Sequence, residues 1–172
     1  MRVAVTGTPG TGKTTVTDRL ETDLEVIHVN EAIEPEKLYT DVDEERGESK
    51  VVDLEALESW LSGREDCVIE SHLAHHVDAD RVAVLRCHPE ELEERLLERG
   101  ETEAKASENA ESEALDVILA EAVERHGLES VYEIDTTDRT PEEVASALEA
   151  VIRGDREPSA GEVDFLSYLG EP

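Results

Sequence analysis

Eight residues near the N-terminus have the types and spacing to hold a chain of phosphates. Gly7 and Gly12 stand five apart with Thr8, Pro9, Gly10 and Thr11 between them, and Lys13 and Thr14 follow directly. Glycines let a backbone turn sharply and approach a ligand. The loop amides, with the helix N-terminus that follows, offer donors and positive field to an anion. A lysine after the second glycine reaches the β- and γ-phosphates, and the next hydroxyl is a ligand for Mg2+. Gly10 and Gly12 therefore shape a cradle, Lys13 holds the terminal phosphates, Thr14 takes the metal, and Thr15 meets the α-phosphate side. With this chain's own composition the pattern arises by chance in about 2 of 1,000 chains of the same length. The loop points to ATP with Mg2+.

A second group follows a short apolar run. Val68 and Ile69 lead into Glu70, Ser71 and His72, so a strand ends in a carboxylate. An acid at such a strand end lies beside the phosphate loop and orients Mg2+ or its water. Glu70 is thus a second metal candidate; a solvated strand-end acid is the plainer alternative. His72 points to the same side if the strand continues, where it could position a water or an acceptor. His75 and His76 follow closely, so a metal site is conceivable; a surface loop with histidines is the plainer reading, because no cysteine or fixed ligand spacing supports a metal.

Basic residues form a third group. Arg86 closes a strand, Arg95 and Arg99 are four apart on one helix face, and Lys105 lies beyond Gly100. Guanidinium is the natural clamp for a phosphoryl group in transfer. For Arg95 the bland alternative is pairing with Glu90, Glu91, Glu94 or Glu98; Arg99, beside a glycine hinge, reads as functional. Asp135 and Thr136 end the last strand, where loops of a nucleotide-binding sheet surround the ligand, so they could meet the base. The same stretch also leads into a helix start at Thr140, Pro141, Glu142 and Glu143.

Alternating strands and helices must position these groups. Apolar runs at 2–6, 25–29, 66–70, 80–86 and 130–135 read as five strands, several continuous enough for a sheet covered on both faces. Helices are expected at 12–22, 53–62 (Asp53 as N-cap), 89–99, 102–126 and 141–152, and a short helix plus loop at 30–52. The architecture is α/β with a five-stranded parallel sheet. Cys67 and Cys87 lie in apolar runs and read as reduced core residues. No signal peptide or membrane span is legible, so a cytoplasmic protein is expected. The net charge is −29, from 45 acidic and 16 basic residues, only four of them lysine. Acidity spread along the whole chain argues against strong binding to naked nucleic acid. It suits a surface adapted to high salt, where self-repulsion is screened. The protein is expected to loosen at low salt.

Together these residues resemble the nucleoside monophosphate kinases, and most closely the adenylate kinase isoenzyme six family of archaea and eukaryotic nuclei. The resemblance rests on the loop from Thr6 to Thr15 and on Glu70-x-His72. It also rests on Val84-Leu85-Arg86, Glu94-Arg95-Leu96, Arg99-Gly100 to Lys105, and Asn109. Leu38, Tyr39, Asp43, Glu44 and Glu45 match the family's monophosphate-binding segment. The likeness covers residues 1–152, which it implies are one P-loop NTPase domain with helices on both sheet faces. It implies a monophosphate-binding segment at 30–53 and a short lid at about 98–108 carrying Arg99. Residues 153–172 read as a loosely attached acidic C-terminal extension.

The family phosphorylates nucleoside monophosphates from ATP, hydrolyses ATP, and assists late maturation of the small (30S) ribosomal subunit and 16S rRNA processing. The implied partners are ATP, a monophosphate, a platform ribosomal protein and the nascent 30S particle. One departure stands out: Glu34, followed by Pro35, occupies the place of an arginine in the eukaryotic members. Lys37, Arg46 or Lys50 would then have to meet the acceptor phosphate.

Overall fold

The computed structural model describes residues 1–43 and 49–170. Its sheet is built from β1 (Arg2–Thr6), β2 (Glu25–His28), β5 (Cys67–Glu70), β6 (Arg81–Arg86) and β7 (Val131–Asp135). All neighbours are parallel, in the order β2-β5-β1-β6-β7. Successive residues of a strand face opposite sides of the sheet, so each strand feeds two cores. Ala4, Ile69, Val82 and Val84 pack with Leu57 and Leu61 of α3 (Leu54–Leu61) and Leu119 and Ala122 of α6 (Val117–His126). Val5, Val68, Ala83 and Leu85 pack with Val16 of α1 (Lys13–Thr17) and Val144 and Leu148 of α7 (Pro141–Arg153). A third cluster joins Cys87 to α4 (Pro89–Glu98) and α5 (Glu103–Ala114) through Leu92, Leu96 and Ala106. Both cysteines are free and buried, and burial pushes the Cys87 thiol up to about 12.

Helix starts follow their side chains. Asp53 accepts from the Glu55 and Ala56 amides, and Thr140 and Glu143 form a reciprocal cap, with Pro141 opening α7.

Four expectations are corrected. The helix after the phosphate loop is one turn and a half, because the Thr17 hydroxyl bonds back to the Lys13 and Thr14 carbonyls. Residues 30–52 contain a short helix, α2 (Val29–Ala32), and an antiparallel pair, β3 (Tyr39–Asp43) with β4 (Ser49–Val52), rather than a helix and a loop. The stretch 102–126 is two helices. The chain turns between them at Asp116, whose left-handed φ of 56° lets its carboxylate reach Arg86. The segment after α7 is bound, not loose. Ser159 and the amides of Glu162 and Val163 bond to Glu133, Phe165 is buried, and the Tyr168 hydroxyl donates to Glu93.

Arg86 ties these parts together. Its guanidinium, 1% exposed, meets Glu113 at 2.7 Å, Asp116 at 2.6 Å and Glu133 at 2.5 Å. Burial alone would lower its pKa, but Glu113 and Asp116 raise it far above the ordinary value. Glu113 and Glu133 are themselves buried. Removing one member of such a network leaves uncompensated charge, at about 3–5 kcal/mol. Arg86→Met should therefore lower unfolding free energy in denaturant titrations by about that amount; a change under about 1 kcal/mol would contradict the assignment.

Candidate functional site

Strand register assembles the site. Glu70 pairs with Val5 of β1 on one side and His28 of β2 on the other, so the ends of three strands meet where the loop leaves Thr6. The loop itself needs glycine. Gly10 has φ 94°, and a Cβ there would lie 2.9 Å from Leu92 Cδ1. Gly12, with φ 91°, is the left-handed residue from which α1 departs.

Gly10, Gly12, Lys13, Thr14, Thr15, Glu70, His72, Arg95, Arg99 and Thr136 line one cavity of about 670 Å3. Lys13 is buried, its Nζ donating to the carbonyls of Gly7 (2.9 Å) and Thr8 (3.2 Å). Burial pulls its pKa from 10.5 to about 8, with Arg99 adding to the fall and Glu70 and Glu113 opposing it. That shift means the buried ammonium costs about 3 kcal/mol near neutral pH, held ready for an anion to offset. Burial, with Lys13 as the next cause, lowers His72 to about 4, so it faces the cavity as a neutral imidazole.

The Thr14 hydroxyl lies 3.3 Å from a Glu70 carboxylate oxygen. Two oxygen donors of this kind, beside a phosphate cradle, fit Mg2+, which takes one or two protein ligands and keeps waters and phosphate oxygens for the rest. Glu70 is positioned in turn by His28, whose Nδ1 is 2.8 Å from it and whose Nε2 is 3.1 Å from Asp18. Burial pulls the His28 pKa down, but the bond to Glu70 and the charges of Glu70, Asp18 and Glu31 outweigh it and leave it raised. Its contribution to stability is thus complete below the ordinary histidine pKa and is lost as pH rises through the raised value.

Some expected residues do not join the site. Asp135 spends its carboxylate on the amide and hydroxyl of Thr137, shaping the turn after β7, and does not line the cavity. Arg86 is the buried hub described above. Lys105 is exposed and pairs with Glu101, and Asn109 donates back to the Lys105 carbonyl. Arg95 does both things considered for it: it pairs with Glu91 and faces the cavity, 3.4 Å from the Gly10 carbonyl. His75 is buried rather than on a surface loop. In the segment expected to bind the monophosphate, Lys50 pairs with Glu34 at 3.1 Å; Glu44, Glu45 and Arg46 lie outside the described residues.

Sequence reasoning missed Asn30 and Arg139, which also line the cavity. Arg139 carried a readable signal, a basic residue in a strand-end loop. It also missed Glu113, which accepts from the Thr8 hydroxyl at 2.5 Å and so ties the phosphate loop to Arg86.

The chain is similar to known proteins on two levels. A family model described as "AAA domain" matches residues 3–116. A protein named "Putative adenylate kinase" from Natronomonas pharaonis is 64% identical over 98% of this chain and 100% of its own length. Another of that name from Halobacterium salinarum is 59% identical over 98% of this chain and its whole length. Among solved structures, a gluconokinase from Sinorhizobium meliloti superposes with a TM-score of 0.57 at 18% identity, covering 99% of this chain and 97% of its own. That last likeness shows the fold, and it agrees with the parallel sheet described here. No helix among the described residues is long and apolar enough to cross a membrane.

The lowered Lys13 pKa has a measurable consequence. A bound polyphosphate restores the ammonium, so at pH 8 binding should take up about half a proton per nucleotide. Calorimetry in two buffers of different ionisation enthalpy reads this uptake; equal heats in both buffers would contradict it.

Proposed function

From the premise that this chain belongs to the AAA-domain family, alongside the archaeal adenylate kinases it resembles, we propose that it moves the γ-phosphate of ATP onto a nucleoside monophosphate. The supporting observation is convergence. A phosphate loop, a hydroxyl–carboxylate pair and three arginines, Arg95 and Arg99 from α4 and its C-cap and Arg139 from the loop after β7, all face one cavity. The names and identities of the archaeal relatives support the same reading.

Each residue has a task. The loop amides and Lys13 hold the β- and γ-phosphates. Thr14 and Glu70 hold the Mg2+ that accompanies ATP, which supplies charge neutralisation on the phosphate oxygens. Arg99 and Arg95, on the helix edge that would act as the lid, offset charge developing on the transferred group. Thr136 and Arg139 border the nucleotide from the far side. His72 enters as a neutral group able to orient a water or an acceptor hydroxyl. Catalysis is then positioning plus electrostatics, and closure of residues 98–108 keeps water out.

One observation favours a second reading. Lys50, a candidate partner for the acceptor phosphate, is already engaged by Glu34, and an acid in that segment repels a monophosphate. ATP hydrolysis would then dominate. It would serve as an assembly switch on the nascent small ribosomal subunit during 16S rRNA processing, with a basic platform ribosomal protein suited to the acidic surface.

A coupled assay in molar KCl, with ATP and each monophosphate in turn, separates the two. The kinase reading expects at least one monophosphate to be converted to its own diphosphate, well above the rate of ATP loss alone. ATP converted to ADP and inorganic phosphate with no monophosphate phosphorylated would overturn it.

A further inference from the structure

We propose that His75, His76 and Glu121 form a site for a divalent transition-metal ion of the zinc class, which clamps α6 to the loop after β5. None of the three lines the phosphate cavity, so the proposal stands apart from phosphate transfer.

The donor geometry comes first. His75 Nε2 lies 2.8 Å from a Glu121 carboxylate oxygen, and His76 Nε2 lies 3.7 Å from the same oxygen. The three donor atoms all fall within 4.8 Å of one another. Four-coordinate zinc bonds nitrogen and oxygen at about 2.0–2.1 Å, which sets its ligand atoms about 3.3 Å apart. The observed separations lie on both sides of that value. Glu121 is nearly half exposed at 45%, so its side chain is free to make the adjustment.

The surroundings are those of a held ligand. The outer nitrogen of a metal-bound histidine is almost always fixed by a second group. His75 is 1% exposed, and its Nδ1 is 2.8 Å from the Thr6 hydroxyl, which leaves Nε2 as the outward nitrogen. The carbonyl of His75 accepts from His126 Nε2 at 2.8 Å, which fixes the backbone of the turn as well. His76, 31% exposed, gives the ion a way in and leaves room for a water as fourth ligand.

Chemistry selects the ion. Two imidazoles and one carboxylate favour zinc, cobalt or nickel over Mg2+, which prefers an all-oxygen shell. The site's reach is short: Thr6, the outer partner of His75, is the residue before Gly7, and residues 71–76 also carry His72. A bound ion would fix the turn that carries His72 and the strand end from which the phosphate loop springs. It would act as a structural clamp rather than as a reactant.

The test uses the full chain, stripped with chelator and titrated with Zn2+ in molar KCl without nucleotide. Wild type should bind one Zn2+, show the intense visible bands of four-coordinate Co2+ when cobalt is used instead, and melt at higher temperature with zinc present. His76→Ala and Glu121→Gln should each weaken binding by about tenfold or more and abolish the zinc-dependent rise in melting temperature. Both residues are partly exposed, so the variants should fold, and Glu124→Gln, an exposed neighbour on α6, should behave as wild type. Zinc binding unchanged in His76→Ala and Glu121→Gln, or a weak six-coordinate cobalt spectrum, would overturn the proposal.

Discussion

The phosphate loop is held from behind by one buried arginine. Arg86 ends β6, and its partners come from three other places: Glu113 on α5, Asp116 at the turn between helices, and Glu133 on β7. Glu113 then reaches forward to the Thr8 hydroxyl inside the loop. Glu133 reaches outward to the amides of Glu162 and Val163, and Phe165 lies against the guanidinium face. The loop, α5 and the C-terminal segment therefore share one charge network. A buried charge network is rarely the most stabilising option, but breaking it at one point leaves the rest unpaired. That gives it geometric authority: the loop keeps its shape because Glu113 cannot turn away from Arg86 without exposing a buried carboxylate to no partner.

Positive charge is scarce in this chain, and two uses of it stand out. Some is structural, as in Arg86 and in Arg2, which bonds to Glu58 and to the carbonyls of Leu61 and Arg64. Some faces the cavity, as in Lys13, Arg95, Arg99 and Arg139. The cavity thus gathers four basic residues beside Glu70 and Glu98, on a molecule of charge −29. A polyphosphate must cross the repulsive outer field to reach it. High salt shortens that field to a few ångströms while leaving close contacts inside the cavity intact.

Much of this was legible in the sequence. Five strands could be read because buried parallel strands are nearly continuous apolar runs, and the phosphate loop because glycine, lysine and threonine must stand at fixed spacing. Glu70 and His72 were legible as a strand end beside that loop. Less legible was anything decided by tertiary partners. Arg86 looked like a phosphate ligand because a sequence does not show the three acids that surround it. Asp135 looked like a nucleotide contact, whereas its carboxylate closes its own turn. The break at Asp116 was hidden because only the pull of Arg86 explains a left-handed aspartate in a helical stretch. Tyr39 to Val52 was read as irregular because its strands are rich in charge. The C-terminal segment looked detached because part of what holds it is backbone amides on Glu133, to which any sequence could contribute, and because the partners of Ser159, Phe165 and Tyr168 lie far away in the chain.

The central claim is that the loop from Gly7 to Thr14 binds the phosphates of ATP through Lys13. Calorimetric titration of MgATP into wild type and Lys13→Met, in molar KCl at pH 7, tests it most directly. The account predicts one ATP per chain for wild type. It predicts loss of measurable binding in a variant that still melts at or above the wild-type temperature, since the buried ammonium is unfavourable without its ligand. Equal ATP affinity in the two proteins would contradict it.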